Sequence, residues 1–293
     1  MELRVLRYFL MVAREQNITR AATMLNITQP TLSRQLMQLE DELGVPLFER
    51  GKGKIHLTSE GMLLRRRAEE LLELADKTEN EFKCEKTQIS GEIFIGSGET
   101  DSFHHLAEIM SGFSKEYPQV TYNLFSGNAD DIKEKINSGL IDVALLMEPV
   151  SIETYDFIRV PDKQNWGVLI PKSDPLAEKD YVRAQDLKDH PLIISKRDSV
   201  RNEIDNWFEG GLDDMNIIAG YNLIYNASFL VECGLGYALT IDKLFRNSDS
   251  SRLYFKPLYP KLETGSVIVW KKHQVFSPAA TEFIKRIKEA FQK

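Results

Sequence analysis

Two short amphipathic segments separated by a few residues, between Asn17 and Arg50, constrain this chain more than any other feature. Before them, Leu3, Leu6, Leu10 and Ala13 recur at helical spacing with Phe9 beside them, predicting a leading helix with one inward stripe. Asn17 then offers a side-chain oxygen to the free amides of a second helix carrying Ala21, Ala22 and Leu25, whose alanines let a neighbour approach closely. Asn26 tolerates the left-handed conformation of a helix end, Thr28 suits the next cap, and Pro30 suits a first turn that needs no backbone donor. In the third segment Leu32, Leu36, Leu39 and Leu43 define a buried face. Gln29, Thr31, Ser33, Arg34, Met37 and Gln38 must then point elsewhere. A polar helix face ordinarily meets only solvent. Here a helix and a tight turn precede it, the layout of a helix-turn-helix whose second helix enters the DNA major groove. Gln and Arg read base edges with paired hydrogen bonds, and Thr touches a thymine methyl.

After Gly44-Val45-Pro46, Leu47 and Phe48 return to the core, and Arg50-Gly51-Lys52-Gly53-Lys54 separates two short strands, the second at Ile55–Leu57. Glycines at the tip and three cations beside it predict a wing whose Arg50, Lys52 and Lys54 contact phosphate.

The stretch ITRAATMLNITQPTLSRQLMQLEDELGVPLFER followed by IHLTSEG closely resembles the amino-terminal domain of LysR-type transcriptional regulators. The resemblance implies Gln29, Pro30, Thr31, Ser33 and Arg34 as the groove-facing set, with Arg50 in the wing; the polar face of the helix adds Gln38 as a DNA-binding candidate. Asn17-Ile18 stands where the family commonly has Ser-Phe, a change of cap and packing rather than of DNA contact.

The overall charge of −7 argues against nucleic acid until it is divided. Residues 1–58 hold eight Lys/Arg against six Asp/Glu, residues 59–88 six against eight, and residues 89–293 twenty-three against thirty. An acidic body limits non-specific DNA binding while the small front domain reads sites. The length predicts two domains, each with its own core. With no secretory signal, no run of roughly 18 apolar residues and only Cys84 and Cys233, without CxxC spacing, the expectation is a cytoplasmic protein without membrane contact.

Thr58-Ser59-Glu60 caps a long helix expected to reach about Lys86, in a connector spanning 59–88. Leu64, Ala68, Leu71, Ala75, Thr78 and Phe82 step by fours and threes along one seam. Such a seam pairs two chains or packs on its own domain; the family resemblance favours the dimer, and hence a target site with an inverted repeat. Arg65-Arg66-Arg67 reads as solvated surface.

From Gly91 onward apolar runs alternate with amphipathic stretches: Ile93–Ile95, Val120–Phe125, Val143–Leu146, Val168–Ile170, Leu192–Ile194, Tyr237–Leu239 and Val267–Trp270. Strands separated by helices predict an α/β domain with mainly parallel sheets. Ligands in such sheets bind beyond the carboxyl ends of strands. Three of those ends are polar: Gly96–Ser102, Ser126-Gly127-Asn128 and Ser195–Ser199. The phrases EYPQVTYNLFSGNADDIKEKINSGLIDVALL and FLVECGLGYAL extend the LysR resemblance, which implies a two-lobed effector domain (89–293) similar in fold to periplasmic solute-binding proteins. Lobe I would hold 90–162 and 267–293, lobe II 163–266, with the pocket between them. By the same resemblance Ser97, Thr100, Ser102, Ser126, Ser195, Arg197 and Asn222 are pocket residues. Lys196 or Arg197 suits a carboxylate or phosphate, or pairs with a surface acid. Two family prolines are missing, where this chain reads Thr240-Ile241 and LAEIMSGF, so ligands do not transfer from relatives.

His104-His105 beside Glu99 and Asp101 suggests metal, but neighbouring helical residues point about 100° apart and zinc needs a fuller set. No G-x-S-x-G, P-loop or G-x-G-x-x-G occurs, so neither catalysis nor a cofactor is expected. The reading is a DNA-binding regulator modulated by a small molecule, working as a dimer or a dimer of dimers on promoter DNA, with RNA polymerase a further candidate partner. Two alternatives stay open: an architectural DNA binder with an idle pocket, and a solute-binding or enzymatic body tethered to DNA.

Overall fold

A computed structural model describes residues 1–50, 55–83, 89–208, 211–245 and 252–291. The chain divides into two compact units, Met1–Lys83 and Cys84–Lys293.

In the first unit α1 (Leu3–Glu15), α2 (Ile18–Met24) and α3 (Gln29–Leu43) precede a two-stranded hairpin of β1 (Phe48–Arg50) and β2 (Ile55–Leu57), then α4 (Ser59–Lys83). The caps act locally. Asn17 accepts from the Arg20 amide at 2.9 Å, Thr28 from Thr31 at 3.4 Å, and Asn26 takes φ 55° between the two helices. Each such cap contributes about 1 kcal/mol. The core gathers Val5, Leu6, Phe9 and Val12 from α1, Ala21 and Ala22 from α2, and Leu32, Leu36 and Leu39 from α3. The stripe expected on α1 is therefore rotated: Leu3 is exposed, Leu10 and Ala13 are half-buried, and Leu43 of α3 is exposed too. Helix α1 packs on α2, α3 and α4 together, so its buried face is broader than one stripe.

Two details fasten hairpin to helices. Glu40 Oε1 accepts from the amides of Leu47 at 2.6 Å and Phe48 at 3.2 Å. Thr58 donates to Pro46 O at 2.8 Å and accepts from the Gly61 amide at 2.9 Å, capping α4. A Cβ on Gly61 would lie 2.2 Å from Leu47 O, so only glycine permits this approach.

Along α4 the expected seam splits. Ala68 is fully buried in the unit's own core with Leu72, and Leu64 packs against the same cluster. This corrects the dimer assignment for Leu64 and Ala68, because that face covers α1. The outward side carries Met62, Leu63, Leu71, Leu74 and Phe82, with Ala75 half-buried.

In the second unit β3 (Gly91–Ser97), α5 (Phe103–Glu116), β4 (Val120–Ser126), α6 (Ala129–Asn137) and β5 (Val143–Met147) lead into β6 (Tyr155–Pro171). Next come α7 (Ala184–Leu187), β7 (Leu192–Ser195), α8 (Asp198–Trp207), β8 (Ile217–Tyr221), α9 (Ile224–Glu232), β9 (Tyr237–Ile241), β10 (Leu253–Pro257), β11 (Glu263–Lys271) and α10 (Pro278–Phe291). Among the described residues nine strands run in the order β4-β3-β5-β11-β6-β9-β7-β8, with β10 also on β6. Strand β6 belongs to two lobes. Its Tyr155–Val160 portion pairs with β11, and its Trp166–Pro171 portion with β9 and β10. Between them Gln164 and Asn165 pair with Thr264 and Glu263, where β11 shifts register. The β3-β4, β3-β5, β7-β8 and β7-β9 pairs are parallel, whereas β6, β10 and β11 run antiparallel to their neighbours. The sheets are thus mixed rather than mainly parallel. In lobe I, one sheet face packs on α5 and α10 through Leu106, Phe113 and Phe283, the other on α6 through Ile132 and Ile136. In lobe II, Val200 and Ile204 of α8 cover one face and Ile224, Ala227 and Val231 of α9 the other.

Candidate nucleic-acid interface and ligand cavity

On α3, Gln29, Pro30, Thr31, Arg34 and Gln38 are exposed and Ser33 is half-buried, while the leucines alternating with them are covered. The sequence alternation therefore yields one wet, polar ridge. Within it Gln29 Nε2 donates to Ser33 Oγ at 2.8 Å, Thr28 and Thr31 share a hydroxyl bond of 2.8 Å, and Gln38 Nε2 reaches Glu42 at 3.4 Å. These bonds are short-range and solvent-exposed, so water or another polar partner can replace them at little cost. Arg34 shows no such bond among the described residues. Arg50 ends β1 at the mouth of the hairpin; Lys52 and Lys54 lie outside the described residues.

In the second unit a cavity of about 190 Å³ lies between the lobes. Its walls come from the ends of β3, β4, β5, β7, β8 and β9 and the starts of α6 and α9, the strand ends where α/β sheets take ligands. Of the residues expected there, Thr100, Ser195, Arg197 and Asn222 line it. Ser97, Ser102 and Ser126 are not among the lining residues: Ser97 donates to its neighbour's carbonyl, Gly98 O, at 2.8 Å, Ser102 is buried, and Ser126 is exposed on the outer strand β4.

One wall is apolar: Leu145, Leu146, Met147, Trp166, Val200, Ile241 and Leu244. The rest is polar, and most of its polar groups are already engaged. Thr100 donates to Gln164 Oε1 at 2.6 Å, reaching the segment that joins the lobes. Asn128 caps α6 through the amides of Asp130 and Asp131 at 2.8 and 3.0 Å. Tyr221 donates to Leu239 O at 2.6 Å, and burial holds its hydroxyl above the usual phenol range. Arg197 donates to Met147 O at 3.0 Å and to Pro149 O; burial pulls its guanidinium below the usual range, against the pull of Asp130 and Glu203. Burial also pushes Glu203 above the usual carboxylate range. Glu99 Oε2 accepts from the Ile224 amide at 2.5 Å. Lys196 is exposed on the rim, its stem packed over Gly220.

Sequence reasoning missed Glu99, Gln164 and Trp166 as part of this region. Glu99 sits inside a segment recognised as polar, but its partner is 125 residues away. Gln164 and Trp166 fall in a polar stretch that carried no strand pattern. His104 and His105 turn to Glu108 at 3.2 Å and Asp162 at 2.7 Å, and no metal-holding group of three or more His, Cys, Asp or Glu occurs among the described residues. Among those residues no helix is long and apolar enough to cross a membrane.

Residues 3–62 match the family model for bacterial regulatory helix-turn-helix proteins of the lysR family, and residues 86–292 match the LysR substrate binding domain. The Hca operon transcriptional activator HcaR of Escherichia coli is 30% identical over 294 residues, covering 99% of this chain and 98% of that protein. The fold is that of CbnR, a LysR family transcriptional regulator, with a TM-score of 0.78 at 19% identity over the whole of both chains. It is similar also to full-length CbnR complexed with its target DNA, with a TM-score of 0.76 at 20% identity over 99% of this chain and 100% of that one. A helix-turn-helix unit with an exposed polar α3, a two-lobed unit with an interlobe cavity, and these matches along nearly the whole length place the chain in the LysR family of bacterial transcriptional regulators.

Proposed function

We propose that this chain is a ligand-responsive transcription regulator that reads DNA with α3 and senses a small molecule in the interlobe cavity. The observation that carries the DNA half is the α3 ridge: a capped helix start presenting Gln29, Thr31, Arg34 and Gln38 to solvent, beside a hairpin held by Glu40. Arg34 and Gln38 suit base edges and Gln29, Thr31 and Ser33 the first turn's contacts; Arg50, Lys52 and Lys54 suit phosphate. Two chains would pair through the outward side of α4, where Leu63, Leu71, Leu74 and Phe82 stand exposed, and so bind an inverted repeat. A pair of such dimers on one promoter follows the family pattern.

The cavity supports sensing over turnover. Most of its polar groups are already bonded within the second unit, which favours ligand binding that acts through lobe arrangement rather than chemistry. As a member of a bacterial regulator family that reads chromosomal DNA, the chain would work in the cytoplasm.

The test is capture of sheared genomic DNA by the purified chain, with Arg34→Ala as control. A few enriched sites sharing an inverted repeat, absent from the variant, support the regulator, and their neighbouring genes shortlist the effector. Enrichment no better than the variant, at low salt and with folded protein, sinks the DNA reading.

A further inference from the structure

The cavity is bridged by two contacts that neither capping nor sheet pairing explains. Helix α9 starts after Leu223, whose apolar side chain makes no cap bond. The Ile224 amide is instead taken by Glu99, which stands in the β3–α5 turn of the other lobe. Arg197 precedes α8 in lobe II and makes no cap bond either. Its guanidinium crosses to lobe I and donates to the carbonyls of Met147 and Pro149. A carboxylate reaches from lobe I to lobe II, and a guanidinium returns from lobe II to lobe I. Glu99, Met147, Arg197 and Ile224 all line the same cavity. The carboxylate also meets the positive end of the helix, which favours it there.

We propose that Glu99 and Arg197 form a two-point latch that holds the lobes together across the cavity, so that lobe closure is set by these side chains. The covalent connections between lobes are the β6 and β11 crossings, and beside the cavity the exposed Lys243 also meets Asp101 across the lobes at 3.9 Å, a pair that water screens. Glu99 and Arg197 add the part-buried, hydrogen-bonded contacts to these connections. The latch rests on the reading of this cavity as the sensing site, because its consequence is that an occupant changes lobe spacing by breaking or replacing one of the two contacts.

The test is hydrogen exchange on the full chain, without effector, for wild type, Glu99→Gln and Glu99→Ala. Loss of the acceptor in Glu99→Ala should speed exchange of the Ile224 amide about tenfold or more, the ratio that a charge-assisted hydrogen bond supports. In a latch, losing one point loosens the other, so the Glu148 amide, bonded to Gly265 O beside the Arg197 contact and untouched by the substitution, should exchange faster. Formate, at ionic strength matched with chloride, should restore protection at both places in Glu99→Ala by supplying the missing carboxylate. Glu99→Gln keeps an acceptor oxygen and should stay close to wild type, which guards against a folding defect. Faster exchange at Ile224 alone would make Glu99 a distant helix cap and overturn the latch; unchanged exchange at Ile224 would overturn the bond itself. A chain that passes these tests yet binds no small molecule would overturn the sensing reading and leave the latch standing.

Discussion

The α3 ridge and the interlobe cavity differ most clearly in what their arginines do. Arg34 projects from a helix whose caps and buried leucines lie within a few residues of it, and it is exposed. Arg197 is half-buried and bonded to two carbonyls about fifty residues back in the chain. The first is available to a partner; the second already has one, inside its own domain. On α3 the exposed polar groups make only short-range bonds or, like Arg34, show none among the described residues, whereas in the cavity a ligand must compete with part-buried bonds already made. The comparison implies opposite responses to the same substitution.

Arg197→Ala should show the larger effect on stability. It strands the carbonyls of Met147 and Pro149 and removes charge-assisted bonds, at a cost of roughly 1.5–3 kcal/mol, and unfolding of the second unit should report it. Arg34→Ala should leave thermal stability within about 0.5 kcal/mol of wild type. If both arginines prove equally dispensable for folding, the contrast between a tied and a free group collapses.

For DNA the order reverses. Arg34→Ala should weaken binding to the enriched site by roughly 1–3 kcal/mol and relax preference at one base position. Arg197→Ala, whose contacts lie within the second unit, should leave the preference among bases unchanged, whatever lobe spacing does to overall affinity. Equal loss on specific and random DNA would make Arg34 a phosphate contact instead. Glu40 joins the two properties, since its carboxylate holds the Leu47 and Phe48 amides at the base of the hairpin. Glu40→Ala should therefore cost roughly 1–3 kcal/mol of first-unit stability, and lower affinity for all DNA sequences alike by loosening the wing. A change confined to one base position would show that Glu40 acts on α3 rather than on the hairpin.

The same contrast explains which parts of the molecule were legible in the sequence. The helix pair was, because its signals are local: Asn17, Asn26 and Thr28 act on amides within three or four residues, and Leu32, Leu36 and Leu39 mark the buried face directly. Reading failed where a helix is covered from several sides. Helix α1 buries Val5 and Val12 as well as Leu6 and Phe9, and Ala68 faces its own domain although its spacing fits a dimer seam. Strand β6 was only partly legible. Its Val168–Ile170 end is fully buried, but the stretch through Pro161-Asp162-Lys163-Gln164 crosses between sheets, where neither face needs apolar residues. In the cavity the loops were legible and the contacts were not. Polar turns after strands were visible in Gly96–Ser102 and Ser195–Ser199, yet which side chain turns inward depends on partners such as Gln164, Met147 and Ile224, far away in sequence. Nothing local tells that Ser97 bonds to its neighbour while Glu99 reaches the other lobe.

The smallest effect should come from Arg65, which looks like Arg34 in the sequence because both are exposed cations on long polar faces. In the structure Arg65 donates to Glu69 at 3.1 Å, one turn along α4, and both side chains are about half-exposed. Such a pair contributes a few tenths of a kcal/mol, because two long side chains must be held and water screens their attraction. Arg65→Ala should thus move neither thermal stability nor DNA affinity measurably, and the slope of affinity against salt should stay where it was. The slope is the sharper readout, since each lost phosphate contact lowers it by about one whatever the sequence bound. A fall of that size would place α4 on the DNA backbone and extend the reading surface beyond α3 and the hairpin. An unchanged slope, beside the loss expected for Arg34→Ala, would establish that exposure alone does not mark a DNA contact, and that an exposed cation with its own carboxylate neighbour belongs to the solvated surface.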